Sequence, residues 1–400
     1  MRYAAARVPH VALGGGATWH DEFMRTRLLG AAGLAGASAV GGALGLSSYF
    51  ARRFVTPEPP EDDVVIRELT ASTITLDADE QTTAPGRYGL WLNGPTGHLR
   101  FADVLARTDT TVTRVLEAVD FGEPLPGAAR MNGYYHAGPP ASSLGIPLED
   151  VSLPGPLGAM PGWQVRGQDP ARWAVLVHGR GALRAECLRA VPTLHDLGFN
   201  VLIPSYRNDI DAPASDDGRY HLGLSEWEDV EAALIHAVEL GAQEIVLFGW
   251  SMGGAAVLQT LDRSWLSERV SRVVLDAPVV DWAAVMAFHA RENRLPAPLG
   301  RLGGRMMRGP AAGRLLGLVP GIDLAHTNWV ARAAELHTPI LLIHSTDDEF
   351  VPVGRSQELA RARPDLVTMP EWTTARHCRE WNTEPGRWER MVREFLAPPA

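Results

Sequence analysis

One stretch constrains this chain more than any other. The short apolar run Ile245-Val-Leu-Phe248 leads directly into Gly249-Trp250-Ser251-Met252-Gly253-Gly254, and an apolar run with helical character continues to Leu261. The first run suits a buried strand and the last an apolar helix, so a strand must turn into a helix across six residues. Such a tight turn forces one residue into a strained backbone conformation and leaves its side chain exposed at the tip. Side chains on either flank must be nearly absent, which accounts for Gly249 and Gly253. The G-x-S-x-G pattern places Ser251 at that tip. The helix that follows aims its N-terminus at the turn, where it favours developing negative charge. The Met252 N–H is then one candidate donor to an oxyanion.

The surrounding sequence repeats strand and helix in alternation. Ala174-Val-Leu-Val177 reads as a buried strand, and a helix-like stretch from Leu183 to Leu197 ends at Gly198. Val201-Leu-Ile203 is the next strand. Ser225-Glu-Trp-Glu228 has the pattern of a capping box and opens a helix that runs to Leu240 and stops at Gly241. Val273-Val-Leu275 and Ile340-Leu-Leu-Ile343 are further strands. This alternation implies an α/β architecture, a mostly parallel sheet with helices on both faces. Residues 281–335 break the rhythm. This insertion between two strands carries Arg291, Arg294, Arg301, Arg305, Arg308 and Arg314 with few acids, and its position predicts a lid over the strand ends.

At 400 residues the chain exceeds what that core needs. Residues 64–153 carry short β-prone runs, Val64-Val-Ile66, Ser72 to Leu76 and Thr110 to Val115, separated by turns such as Pro85-Gly86. They predict a small β-rich extension with no evident chemistry, in which Tyr134-Tyr135-His136 forms a packed turn. The boundaries expected are an N-terminal segment 1–55, the extension 56–155 and the catalytic domain 156–400. Leu28 to Phe50 contains no charge and is long enough for a membrane helix, with Arg25 and Arg27 before it and Arg52 and Arg53 after it. A signal peptide starting at Met24 and ending near Ala37-Ser38-Ala39 is the second reading, and a buried helix the third. The anchor reading puts the catalytic domain outside the cytoplasm; secreted and cytoplasmic placements are the alternatives. The net charge of −10 argues against nucleic acid as a partner. Cys187 and Cys378 are the only cysteines and suit packing rather than a metal or a disulfide framework.

Two further segments carry candidate chemistry. His178-Gly179-Arg180-Gly181 follows the strand ending at Val177, and this glycine-rich turn offers the Arg180 N–H as a second oxyanion donor. His178 reads as a turn-stabilising residue. After the strand Ile340 to Ile343 comes Asp347-Asp348-Glu349, three acids of which one can orient a histidine. His377 is the one histidine that follows the last strand and is the candidate base. Asp276, at the end of another strand, is expected to hydrogen-bond a loop.

HGRG, GWSMGG, TDDEFVP and ARHCREWN fall in an order and spacing that resembles α/β-hydrolase-fold serine hydrolases. SYRND, GRYHLG, EWEDVEAA and LDAPVVDW look like an actinobacterial group of these enzymes, itself similar to the prolyl-oligopeptidase-like and esterase branch. The resemblance spans residues 156–396. It implies an acid three residues before a Val-Pro pair, which is Asp348, with Asp347 as runner-up and Glu349 solvated. It further implies Ser251 as nucleophile, His377 as base, no cofactor or metal, and a small ester or peptide as substrate. The rival expectation is a membrane-tethered binding module with an idle triad.

Overall fold

The computed structural model describes residues 37–137 and 140–397. The first element is helix α1 (Ala37–Val55). Six antiparallel strands follow: β1 (Val64–Leu69), β2 (Thr73–Asp77), β3 (Tyr88–Leu92), β4 (Gly97–Arg107), β5 (Thr111–Phe121) and β6 (Gly127–Asn132). They close into a barrel in the order β1-β2-β5-β4-β3-β6, with β6 pairing back to β1. Alternate residues point inward, among them Val64 and Ile66, Ile74 and Leu76, and Leu99 and Phe101. Arg114 is also buried there. Its guanidinium donates to the carbonyls of Ala102, Thr82, Ala84 and Gly86 at 2.6–2.8 Å, which compensates its desolvation.

A short helix α2 (Pro140–Leu144) leads to the main sheet. Its strands are β7 (Glu149–Gly155), β8 (Gly158–Val165), β9 (Arg172–Val177), β10 (Asn200–Pro204), β11 (Glu244–Trp250), β12 (Val270–Asp276), β13 (Ile340–Ile343) and β14 (Val367–Thr368). The order is β14-β13-β12-β11-β9-β10-β8-β7, parallel from β14 to β10 with the antiparallel hairpin β7–β8 at one edge. This sheet begins at Glu149, ahead of the expected boundary at residue 156. The helices are α3 (Val191–Asp196), α4 (Trp227–Glu239), α5 (Met252–Arg263), α6 (Trp282–Glu292), α7 (Ala297–Arg308), α8 (Pro310–Leu316), α9 (Gly354–Ala362), α10 (Glu380–Thr383) and α11 (Pro385–Leu396). The period-2 geometry of the strands divides the core. Val175, Val177 and Leu247 pack with α4 and α5 on one face, while Ala174, Leu176, Val246 and Phe248 pack with α3 and α11 on the other.

Three local expectations change. The capping box at Ser225 does not form: α4 starts at Trp227, the Ser225 hydroxyl has no partner, and Glu228 reaches Arg207 at 2.8 Å. The stretch from Leu183 is a 3₁₀ turn over Arg184–Ala190 followed by the short α3, not one helix. The expected membrane helix 28–50 also reads differently. Its first part, with the basic region and the Met24 start of the signal reading, lies outside the described residues. Among the described residues no helix is long and apolar enough to cross a membrane. The helix that does form extends past Phe50 into the Arg52-Arg53 pair, and its last turns are buried. Phe50, Ala51, Phe54 and Val55 join the hydrophobic core on one face of the main sheet, with Phe54 edge-on to Trp282 at 6.3 Å. Apolarity alone could not separate a helix facing lipid from one facing α6 and α7.

The barrel is fastened to the segment that carries His377. Asn382 donates from Nδ2 to the Arg87 and Gly133 carbonyls at 2.7 and 3.3 Å, and its backbone carbonyl accepts from the Arg87 N–H at 3.0 Å. Arg379 donates to Gln81 at 2.9 Å, and Arg376 pairs with Glu80 at 3.3 Å. Gly86, at φ 109°, sits where any Cβ would strike the Asn382 carbonyl. Asn382→Ala strips the two Nδ2 bonds together with the one its Oδ1 accepts from the buried Arg189 at 3.0 Å, so it should cost about 2–4 kcal/mol. Urea unfolding with an unchanged midpoint would contradict this docking.

Candidate active site

Ser251 occupies the sharp turn between β11 and α5 with φ 51° and ψ −116°. This conformation costs a non-glycine residue about 1–3 kcal/mol and persists only where the surroundings enforce it. They do so here. The Ser251 N–H donates to the Asp276 carbonyl at 3.1 Å, and its own carbonyl accepts from Val279 at 3.1 Å. A Cβ on Gly249 would lie 2.6 Å from the Gly254 Cα, and one on Gly253 would run into the Val177 carbonyl. The glycines flanking the serine are therefore required by contact.

His377 reaches Ser251 from the loop after β14. Its Nε2 lies 2.9 Å from the Ser251 Oγ, and its Nδ1 lies 2.7 Å from Asp348 Oδ2. A carboxylate only accepts, so Nδ1 carries the proton and Nε2 is left to accept from the serine hydroxyl. Asp348 is itself caged. Its Oδ1 accepts the Phe350 and Val351 N–H groups at 2.8 Å, and Oδ2 also accepts from His344 Nε2 at 3.1 Å. Burial alone would raise this carboxyl, but the imidazoles of His377 and His344 outweigh it and hold the group well below the usual carboxylate range. Burial would likewise lower the His377 pKa, yet the adjacent Asp348 carboxylate and its hydrogen bond leave it raised above 6.5. Asp347 faces away and accepts from the Thr374 N–H at 3.2 Å; Glu349 accepts from Arg376 and from the His377 N–H.

The His178–Gly181 turn lies against the serine. A Cβ on Gly179 would be 3.2 Å from the Ser251 Cβ. The turn is held from below: His178 Nε2 bonds Asp209 at 2.9 Å, Tyr206 stacks on the imidazole, and the Gly179 N–H donates to the buried Glu186 carboxylate at 2.7 Å. The Arg180 side chain donates to the Arg53 carbonyl at 3.0 Å, where the C-terminal end of α1 favours a cation. The helix expected as an anchor thus buttresses this turn. Met252 opens α5, and its side chain is buried in the core. Neither its N–H nor that of Arg180 donates to an acceptor among the described residues.

A pocket of about 140 Å³ opens over the serine, lined by Ser251, His377, Gly179, Arg180 and Glu186 on one side and by Asn132 and Gly133 on the other. The wall expected from the insertion comes instead from the end of β6 in the barrel. No residue of 281–335 lines this pocket. The insertion approaches the site indirectly, through His289 on α6, which packs on Phe350 beside His377.

Sequence reasoning missed three contributors. His344 sits four residues before Asp348, a spacing that could have flagged it. Glu186 and Asn132 belong to segments with no chemical pattern. Asp276, expected to bond a loop, accepts the Trp388 indole N–H at 2.7 Å. Beside it the buried Glu380 is pushed well above the carboxylate range by burial and by the Asp276 and Asp348 charges. Cys378 and Cys187 are both free and buried.

Comparison with known proteins agrees with this architecture. The model of the alpha/beta hydrolase family matches residues 174–396, and the chain belongs to that family. Residues 65–132, most of the barrel, match a separate domain of unknown function (DUF8805). The uncharacterized protein YqkD of Bacillus subtilis (strain 168) is 24% identical over 239 residues, which cover 59% of this chain and 74% of that protein. An esterase of Pyrococcus furiosus superposes with a TM-score of 0.50 at 19% identity, over 64% of this chain and 92% of its own. At that identity the likeness speaks to the fold alone.

In a pH titration followed by NMR, the His377 imidazole should show a midpoint above 6.5. In Asp348→Asn the charge and hydrogen bond that most oppose burial are gone, only the weaker pull of Glu349 and Glu186 remains, and the midpoint should fall. An unchanged midpoint would contradict the pairing.

Proposed function

We propose that the chain is a serine hydrolase that cleaves a carboxylic ester through an acyl-enzyme. The observation that carries this reading is the continuous hydrogen-bonded line from Asp348 through His377 to the Ser251 hydroxyl, at 2.7 and 2.9 Å. His377 takes the Ser251 proton as the oxygen attacks the substrate carbonyl, and Asp348 stabilises the imidazolium formed. The N–H groups of Met252 and Arg180 receive the oxyanion; one such donor is worth about 10²–10³ in kcat. His377 returns the proton to the departing alkoxide. Water then attacks the acyl carbonyl as His377 takes its proton, and the Ser251–acyl bond breaks as His377 returns that proton to the Ser251 oxygen, releasing the acid. The free N–H groups beside the serine and the family membership support this course.

The dimensions of the pocket over Ser251, about 140 Å³, support a small acyl group in preference to a long chain or a polypeptide. The barrel residues Asn132 and Gly133 bound that space.

Hydrolysis of p-nitrophenyl acetate tests the assignment. Ser251→Ala should abolish turnover. Asp348→Asn should lower kcat by about 10⁴, whereas Asp347→Asn should stay within about twofold. The reverse ranking would contradict the role given to Asp348. Because the base must be neutral, kcat/KM should rise with pH through a midpoint above 6.5 and fall away below it. A profile flat from pH 5 to 8 would exclude His377 as the base.

A further inference from the structure

A second concavity, of about 390 Å³, lies between α6, α7 and the turn at Leu324, and shares no lining residue with the pocket at Ser251. Its walls are apolar and small: Met286, Ala287 and Ala290 from α6, Gly300 and Gly304 from α7, and Leu324. The glycines create the hollow. A Cβ on Gly300 would be 2.9 Å from the Ala290 Cβ, and one on Gly304 would be 3.3 Å from Leu324 Cδ1. Around this groove stand Arg291, Arg301, Arg305 and Arg308, all exposed. The single carboxylate in the lining is Asp323, already paired with Arg308 at 3.1 Å. Arg301 and Arg305 lie one turn apart on the same face of α7, so both reach the same mouth.

We infer that this groove binds a single-chain acyl carboxylate, with the chain between α6 and α7 and the carboxylate on Arg301 and Arg305. Charge complementarity decides the class. An inorganic anion would leave the apolar walls uncovered, and a neutral hydrocarbon would leave the arginines without a counter-charge. The volume stands near the small end of ligand pockets, which accommodates one chain and not the two of a phospholipid. Guanidinium–carboxylate contacts supply both direction and affinity. α6 also carries His289, which packs on Phe350 beside His377, so an occupied groove abuts a helix that reaches His377 through Phe350.

The test uses the full chain carrying Ser251→Ala, so that turnover plays no part and the outcome is independent of the hydrolase assignment. Dodecanoate, held below its micellar concentration, is titrated calorimetrically. Saturable one-site binding is expected, with dodecanol at least about tenfold weaker. Arg301→Gln with Arg305→Gln should weaken dodecanoate by at least about tenfold and leave dodecanol unchanged. Gly304→Leu, which fills the groove, should remove both. Circular-dichroism melts check that the variants fold; the arginines are exposed, so the double variant serves even if Gly304→Leu does not. Absence of saturable dodecanoate binding, equal affinity for dodecanol, or indifference to the arginine changes would each overturn the proposal. So would binding only to phosphatidylglycerol vesicles, which would make this face a membrane contact instead.

Discussion

The hydrogen bond from His377 Nδ1 to Asp348, 2.7 Å long, is the contact on which the rest of the site depends. It fixes which ring nitrogen holds the proton, and so decides that Nε2 faces Ser251 as an acceptor. Much of the surrounding structure keeps that bond in place. Two backbone N–H groups and His344 hold the carboxylate from one side. On the other, the loop bearing His377 is tied by Arg376, Arg379 and Asn382 to the barrel. A carboxylate this deeply buried is stable as an anion only because its partners are fixed.

The barrel therefore does more than extend the chain. Its β6 end supplies one wall of the pocket over Ser251, and its β2–β3 region receives the side chains that leave the histidine loop. The strained elbow and the glycine-rich turn stand at the ends of the neighbouring strands β11 and β9, and His377 comes to them from the loop after β14 at the edge of the sheet. The order β11-β9-β10 places the loops after β9 and β11 side by side, where the strand order reverses and ligands of open α/β sheets sit. The end of α1 completes the frame, because Arg180 reaches across to its last turn.

The parts of this arrangement legible in the sequence are those set by short-range geometry. Gly249 and Gly253 announced a turn that tolerates no side chain, and the apolar runs around them announced a strand and a helix. The β-prone runs Val64 to Ile66 and Ser72 to Leu76 and the polar–apolar alternation of Thr110 to Val115 announced strands, although closure of the barrel depends on pairing between β1 and β6, which lie far apart in the chain. Contacts of that kind left no local trace. Asn382 meeting Arg87, Asn132 facing Ser251 and Arg180 meeting Arg53 each join segments separated by many residues. Leu28 to Phe50 shows the opposite problem. Its apolarity was visible, but the side chains that bury its last turns, Trp282 and the α7 face, come from the other end of the chain. Ser225 carried the pattern of a cap, yet Arg207 draws Glu228 away and the cap is lost.

The central claim is that Ser251 is an activated nucleophile. Intact mass spectrometry after incubation with a fluorophosphonate tests it most directly, comparing the full chain with Ser251→Ala. The account predicts a single adduct on the parent chain and none on the variant. Equal labelling of the two, or no adduct on a demonstrably folded parent chain, would contradict it.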